Sequence, residues 1–207
     1  MENKAFYNIS YGVFILGVKS GENFNACITN TCFQAAVNPP RLAISVINKN
    51  LTCQMIKESG VFSLSVLDKT CTFDTIQRFG YQSGRNTNKL SGIGYELDSN
   101  GCPYFTNQTC SVFECKVVST EDLGSHTLFI AEVTDAKILS ENAPLTYADY
   151  QANVKPKKES DSGNQTKKII AWKCKICGFV YNGSELPSDY VCEICGHPAE
   201  DFEPVYE

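Results

Sequence analysis

The sequence predicts a mainly β chain in two parts, an antiparallel barrel with a few short helices and then a small metal-bound module. Three observations carry this. Six runs rich in Val, Ile, Phe and Thr, each bounded by turn residues, lie between residues 11 and 139. The hydrophobic pattern stops between residues 151 and 168, and four of the 11 cysteines then form two Cys-x-x-Cys pairs. A chain of 207 residues with 43% hydrophobic and 20% charged residues can build a real core, which excludes a disordered protein.

Strands are expected over 11–19, 23–33, 41–47, 62–67, 111–119 and 128–139. Alternation is plain where Phe113, Cys115 and Val117 share one face against Glu114 and Lys116. One helix follows Asn50 as N-cap and runs through residues 51–59 to a stop at Gly60; a second follows Thr70 and ends near Gly80. Consecutive strands with few helices favour an antiparallel barrel over a doubly wound sheet. Neither G-x-G-x-x-G nor G-x-x-x-x-G-K-[ST] occurs, so the Rossmann and P-loop nucleotide modes have no support.

No apolar run approaches the ~20 residues of a membrane helix, and the polar start Met1-Glu2-Asn3-Lys4 lacks the features of a signal peptide. A cytoplasmic protein with no membrane partner is the expectation. In that reducing compartment the cysteines are expected as thiols or metal ligands rather than disulfides.

Residues 151–168 read as a solvated, flexible linker between a domain of residues 1–150 and a module of residues 169–207. The module carries 2 Lys against 7 acidic residues, which argues against nucleic acid, whose phosphates want basic partners. Its core is Cys174-Lys-Ile-Cys177-Gly178 and Cys192-Glu-Ile-Cys195-Gly196. Each pair can present two thiolates to one ion, and two pairs complete a tetrahedral sulfur shell that suits zinc or iron equally. Gly178 and Gly196 can take positive φ, which turns backbone N–H groups toward the sulfurs. His197, beside Pro198, is expected to be exposed.

In the large domain Asn25, Cys27, Thr29 and Thr31 fall on one face of an extended strand. This polar row could donate to the edge of a ring or simply face solvent. Asn48-Lys49-Asn50 leads into the helix at Leu51-Thr52, as a phosphate pocket or as a plain cap and solvated turn. A Gly-containing polar loop with two cations, Arg85 and Lys89, follows Phe79, and His126 sits at a turn.

Trp172, Tyr181, Pro187, Tyr190 and Phe202-Glu203-Pro204-Val205 around the cysteine pairs resemble a rubredoxin, in the compact form similar to the end of rubrerythrins. That resemblance implies one iron on Cys174, Cys177, Cys192 and Cys195, with zinc as a possible substitute, and transfer of single electrons. The large domain resembles the flavin reductase-like family with the FMN-binding split β-barrel. The likeness rests on the 25–31 strand, Asn38-Pro39-Pro40-Arg41-Leu42, residues 59–67, Phe79-Gly80 with Ser83-Gly84-Arg85, the Asp122 to Phe129 segment, and residues 144–150.

This second resemblance implies non-covalent FMN near a homodimer interface. Asn25 with Cys27, Ile28, Thr29, Asn30 and Thr31 would contact the ring and ribityl chain, and Asn48, Lys49 and Thr52 would approach the phosphate. Ser83, Gly84 and Lys89 would close over the site, and His126 would lie near the flavin. No acid, base or nucleophile is assigned, because hydride transfer is the cofactor's chemistry. The fusion of both domains resembles the high-molecular-weight rubredoxins. It implies an oxidoreductase in which NAD(P)H reduces FMN, FMN passes single electrons to iron, and iron serves a redox protein acceptor such as a flavodiiron O2 or NO reductase. The alternatives are a flavin-binding carrier or sensor with a structural zinc module, and a simple flavin reductase.

Overall fold

The computed structural model describes residues 2–156 and 169–206. Most of the expected linker, residues 157–168, lies outside the described residues. The chain divides into two compact units, Tyr7–Lys155 and Pro156–Glu207 with Met1–Phe6. Among the described residues no helix is long and apolar enough to cross a membrane.

In the large unit β1 (Phe14–Ser20) and β2 (Asn23–Thr29) form one hairpin, and β3 (Cys32–Val37) and β4 (Pro40–Ile47) form a second. Helix α1 (Leu51–Ser59), β5 (Val61–Leu67), α2 (Phe73–Gly80) and the two-residue strands β6 (Glu96–Leu97) and β7 (Pro103–Tyr104) follow. A long hairpin of β8 (Thr109–Asp122) and β9 (His126–Ile138) completes the sheet. The seven strands run in the order β2-β1-β5-β8-β9-β4-β3, every neighbour antiparallel.

That order forces a barrel. β2 and β3 are the two edges of the sheet, yet only Asn30 and Thr31 separate them. Two residues reach about 10 Å at most, so the sheet must roll until its edges meet. The expected single strand over 23–33 is therefore two strands. The break is local: the Thr31 N–H donates to Thr29 Oγ1 at 3.4 Å and Thr31 Oγ1 to Asn30 Oδ1 at 3.1 Å, side-chain bonds that compete with the ladder.

Leu16, Val18, Cys27, Ile44, Phe62, Leu64, Cys115 and Phe129 fill the barrel, and α1 plugs it with Cys53, Met55 and Ile56. Phe113 and Val117 pack against this same cluster, as the alternation predicts. The opposite face of β1 and β2 buries Val13, Ile15 and Ala26 under α2 and the later loops, against Ile76, Phe79, Leu90, Phe105 and Leu145. Two covered faces explain why Val13-Phe14-Ile15-Leu16 is apolar without alternation.

Asn50 caps α1 through its Oδ1, which accepts from the Thr52 N–H, and Gly60 ends the helix with φ 70° and a bond from its N–H to Ile56 O. Helix α2 starts at Phe73 after Thr72 rather than directly after Thr70. Near residue 150 the chain does not break into coil: a turn at Tyr147–Asp149 continues through Tyr150–Val154. Thr146 caps it, Gln151 donates to the Tyr147 hydroxyl at 2.8 Å, and Val154 packs on the outer cluster.

In the small unit β10 (Ile169–Cys174) lies between β11 (Val180–Asn182) and β12 (Phe202–Tyr206). Its core is the cysteines themselves with Trp172, Tyr181, Tyr190 and Phe202. The Tyr181 and Tyr190 rings lie 4.7 Å apart and Tyr190 meets Phe202 edge-on at 5.5 Å. So little apolar area needs the metal to hold it together.

Candidate metal centre and flavin site

Cys174 ends β10, and Cys177 follows in the turn that Gly178 closes at φ 76°, its N–H donating to Cys174 O at 2.9 Å. The second pair repeats this turn: Gly196 has φ 71° and donates to Cys192 O at 2.9 Å. Positive φ at both glycines is the geometry that the sequence predicts. It aims main-chain N–H groups at the sulfurs: those of Cys177, Phe179, Ile194 and His197 donate to Cys174, Cys177, Cys192 and Cys195 in turn.

The four sulfurs lie within 4.8 Å of one another, with Cys174 to Cys195 at 3.6 Å and Cys177 to Cys192 at 3.4 Å. A tetrahedron with metal–sulfur bonds of about 2.3 Å has edges of about 3.8 Å, so the cluster fits one tetrahedral ion. A hydrogen bond from Cys174 draws Cys177 down to about 7 and pulls Cys192 lower still, while thiol contacts hold Cys174 and Cys195 up. Cys174 and Cys192 are buried, and Cys177 and Cys195 face partly outward.

His197 departs from expectation. It is half-buried, and its Nδ1 lies 3.3 Å from Cys195 Sγ. The signal was its place directly after Cys195-Gly196, where the knuckle turns the chain back onto the sulfur.

In the large unit the residues singled out from sequence fall into three groups. The first gathers where β2, the start of α1 and the loop after α2 meet. Asn25 is buried and donates from Nδ2 to Thr52 Oγ1 at 2.9 Å. Cys27 lies one turn of the pleat away, in hydrogen-bond contact with Thr52 and Asn50. The 83–89 loop closes on this pair: a Cβ added to Gly84 would stand 2.3 Å from Asn25 Oδ1. Asn25, Cys27 and Thr29 are all buried, so the polar row of β2 does not face solvent.

Lys89 reaches into the same place with only 3% of its surface exposed, its Nζ donating to Phe79 O at 3.2 Å. Among the described residues no carboxylate pairs with it. Burial lowers the Lys89 pKa, partly offset by Cys27, and raises that of Cys27, partly offset by Lys89. An uncompensated buried ammonium is costly, and this one borders a cavity of about 600 Å³ lined by Asn25, Gly84, Arg85 and Asn88, with Phe24 and Tyr95 as aromatic walls. A buried cation, amide donors and aromatic faces fit an anionic, ring-bearing ligand such as a flavin phosphate.

The second group braces a turn. Asn48 donates from Nδ2 to Asp122 Oδ1 at 3.0 Å and Gly124 O at 2.9 Å, and its Oδ1 accepts from Thr127 and Cys53. His126, in register with Ile47, contacts the Ser125 hydroxyl through Nδ1 at 2.8 Å. Third, Asn30 and Thr31 sit in the link between the barrel edges, with Ile28 facing the outer cluster. Lys49 and Ser83 are exposed at the rims. The resemblance implies a phosphate contact for Asn48, whose Nδ2 in this structure bonds Asp122 and Gly124.

Comparison with known proteins follows the same division. Residues 6–154 match the flavin reductase like domain, and residues 172–203 match the rubredoxin-like domain of rubrerythrin. The high molecular weight rubredoxin of Moorella thermoacetica is 33% identical over 99% of this chain and 100% of its own length. The ferric-chelate reductase (NAD(P)H) of Archaeoglobus fulgidus is 38% identical over 76% of this chain and 93% of its own. Among solved structures, the NADH:FAD oxidoreductase SgcE6 of Streptomyces globisporus C-1027 shares the fold with a TM-score of 0.63 at 19% identity, covering 69% of this chain and 84% of that one. A barrel with a cation-lined cavity and a four-sulfur module, matched in order along nearly the whole chain, supports flavin-linked electron transfer: the chain belongs to the flavin reductase-like family, in the form that ends in a rubredoxin-like domain.

Proposed function

We propose that this chain is an NAD(P)H-dependent oxidoreductase that takes up electrons at FMN and delivers them singly through iron on Cys174, Cys177, Cys192 and Cys195. A redox protein, such as a flavodiiron O2 or NO reductase, receives them. The carrying observation is the conjunction in one chain of a buried, unneutralised Lys89 beside a cavity and four sulfurs in a tetrahedral arrangement. Flavin, when bound, supplies the exchange between two-electron and one-electron chemistry that joins a nicotinamide to such a centre.

The residues then have separate duties. Lys89 holds negative charge, and Asn25 and Thr52, locked to each other, present fixed polar edges that cost no reorganisation. The start of α1 offers the N–H groups of Leu51 and Cys53, which have no intrahelical acceptor, with Lys49 exposed beside them. Phe24 and Tyr95 offer aromatic faces along one wall. In the small module, main-chain N–H groups stabilise the thiolates, and the outward-facing Cys177 and Cys195 mark where electrons leave. The acidic module docks on a basic partner surface. FMN as the flavin and a cytoplasmic homodimer are part of the same reading.

Adding NADH or NADPH anaerobically to untreated protein tests the relay. Flavin and iron–thiolate absorbance should bleach together, and bleaching of flavin alone refutes the relay. Metal analysis separates iron from zinc, and extraction of the bound flavin separates FMN from FAD. The identity with a ferric-chelate reductase over 76% of the chain gives a second reading, in which the barrel alone reduces a bound ferric chelate; activity on the chelate that survives loss of residues 156–207 would favour it.

A further inference from the structure

We infer that Arg85 decides between the two nicotinamide nucleotides, taking the 2′-phosphate of NADPH at the mouth of the cavity beside Lys89. The inference rests on the NAD(P)H reading above and adds the choice of electron donor.

The cavity carries two cations at different depths: Lys89 is buried, whereas Arg85 is exposed at the rim. Arg85 is also held in place. Its main-chain N–H donates to Ser83 Oγ at 3.2 Å, and its Nη2 donates to Gln54 Oε1 at 3.1 Å. Gln54 is oriented in turn by Glu58, whose Oε1 accepts from Gln54 Nε2 at 2.9 Å while its Oε2 accepts from Ser20 at 2.7 Å. Both oxygens of Glu58 are thereby engaged, and the group that touches the guanidinium is a neutral amide. Among the described residues no carboxylate lies within ion-pair distance of Arg85. A guanidinium presents a planar fork of N–H donors, and Gln54 takes only one edge of it. What remains is an oriented, unneutralised cation whose shape pairs a phosphate through two parallel bonds.

The neighbouring wall selects which phosphate. Phe24 and Tyr95, with ring centroids 6.2 Å apart, border the same cavity, and Tyr95 is exposed. Flat heterocycles stack on such faces. In NADPH the extra phosphate sits on the ribose next to adenine, so an aromatic face beside a guanidinium matches adenine with its 2′-phosphate. Arg near that ribose is a general device for accepting the 2′-phosphate, and a carboxylate on the 2′-hydroxyl is the device for NADH. One carboxylate, Glu22 in the β1–β2 turn, also lines the cavity. It is outnumbered by Arg85, Lys89 and Lys19, whose Nζ lies 5.9 Å from the Phe24 centroid. The local potential therefore favours the more negative nucleotide.

The test titrates the full chain as purified with adenosine 2′,5′-bisphosphate and with 5′-AMP, which differ only in the 2′-phosphate. By calorimetry the parent should bind the bisphosphate about tenfold or more tightly than 5′-AMP, and Arg85→Gln should bring the two within about twofold. The ratio of kcat/KM for NADPH to that for NADH should fall by a similar factor in Arg85→Gln. Equal binding of the two nucleotides by the parent, binding of neither, or an undiminished preference in Arg85→Gln overturns the inference. Should Arg85→Gln fail to fold, Gln54→Glu decides: it keeps Arg85 but neutralises it, so the preference should shrink, and an undiminished preference refutes the proposal. The titration needs no hydride transfer. If neither NADH nor NADPH reduces the flavin, the proposed function fails on its own, and the nucleotide titration still reports on Arg85.

Discussion

Adding one methyl group at Gly84 should loosen both the barrel and its grip on flavin. Gly84 does not use the left-handed region, so alanine meets no backbone penalty there, and the cost is contact alone. Its Cβ would stand 2.3 Å from Asn25 Oδ1 and 2.8 Å from Asn25 Cγ, whereas real contacts stay beyond 3.0 Å. Either the 83–89 loop lifts or the Asn25 amide turns, and turning breaks its 2.9 Å bond to Thr52. Overpacking of this kind costs about 1–3 kcal/mol, and a buried amide left unsatisfied costs a similar amount. For a domain of this size that is a fall in Tm of roughly 3–9 °C. Lifting the loop also withdraws Lys89 from the cavity, and each 1.4 kcal/mol lost there weakens flavin about tenfold. Thermal unfolding and a fluorescence titration with FMN measure the two effects. Gly94→Ala is the control, since a Cβ there meets nothing within 4 Å and φ is ordinary. If Gly84→Ala melts and binds like Gly94→Ala, the loop does not close on Asn25 and this site is wrong.

Further outcomes follow from other contacts. Cys174→Ser removes a fully buried ligand and should abolish the metal while leaving flavin bound, as metal analysis and the visible spectrum will report. Lys89→Met should weaken FMN about tenfold or more while leaving the apo barrel at least as stable near neutral pH, because it removes a buried unpaired charge. The folded Lys89 pKa lies below 10.5, so its stabilising contribution exists above 10.5 and is lost as pH falls through the lowered value. Wild type should accordingly gain on Lys89→Met as pH rises through that window, and FMN affinity should drop over the same window. Asp68 accepts from the Thr70 N–H at 2.8 Å and from Asn142 at 3.0 Å while only 2% exposed. Asp68→Ala should cost about 3 kcal/mol, seen as a lower urea midpoint.

The parts of this molecule that were legible in sequence are those fixed by neighbours along the chain. Two Cys-x-x-Cys-Gly turns place their own sulfurs, so spacing alone revealed the metal centre. Asn50 and Gly60 cap α1 within the reach of one helical turn. Alternation at Phe113, Cys115 and Val117 marked the inward face of β8. What escaped depends on distant partners. The strand over 23–33 is divided by local side-chain bonds at Thr29, Asn30 and Thr31, but these residues read equally well as strand, and only membership of two opposite edges calls on them to end it. Asn48 looks free in sequence, and its amide is spent only once the 122–127 turn arrives. Lys89 reads as a solvated loop cation, and only the folded loop shows it buried. His197 reads as exposed because a polar ring beside Pro198 usually is, and only its place directly after Cys195-Gly196 hints that the knuckle folds the ring back onto sulfur.

The barrel's closure has a kinetic side. Three hairpins, β1–β2, β3–β4 and β8–β9, pair residues close in the chain and can form early, at the microsecond pace of such ribbons. The seam between β4 and β9 cannot. It joins Asn48 to Thr127, 79 residues apart, and must await loop closure through α1, β5, α2 and the 83–89 loop. The same Asn48 amide that looked suited to a ligand thus fastens the strand pairing of the large unit that has the longest loop to close.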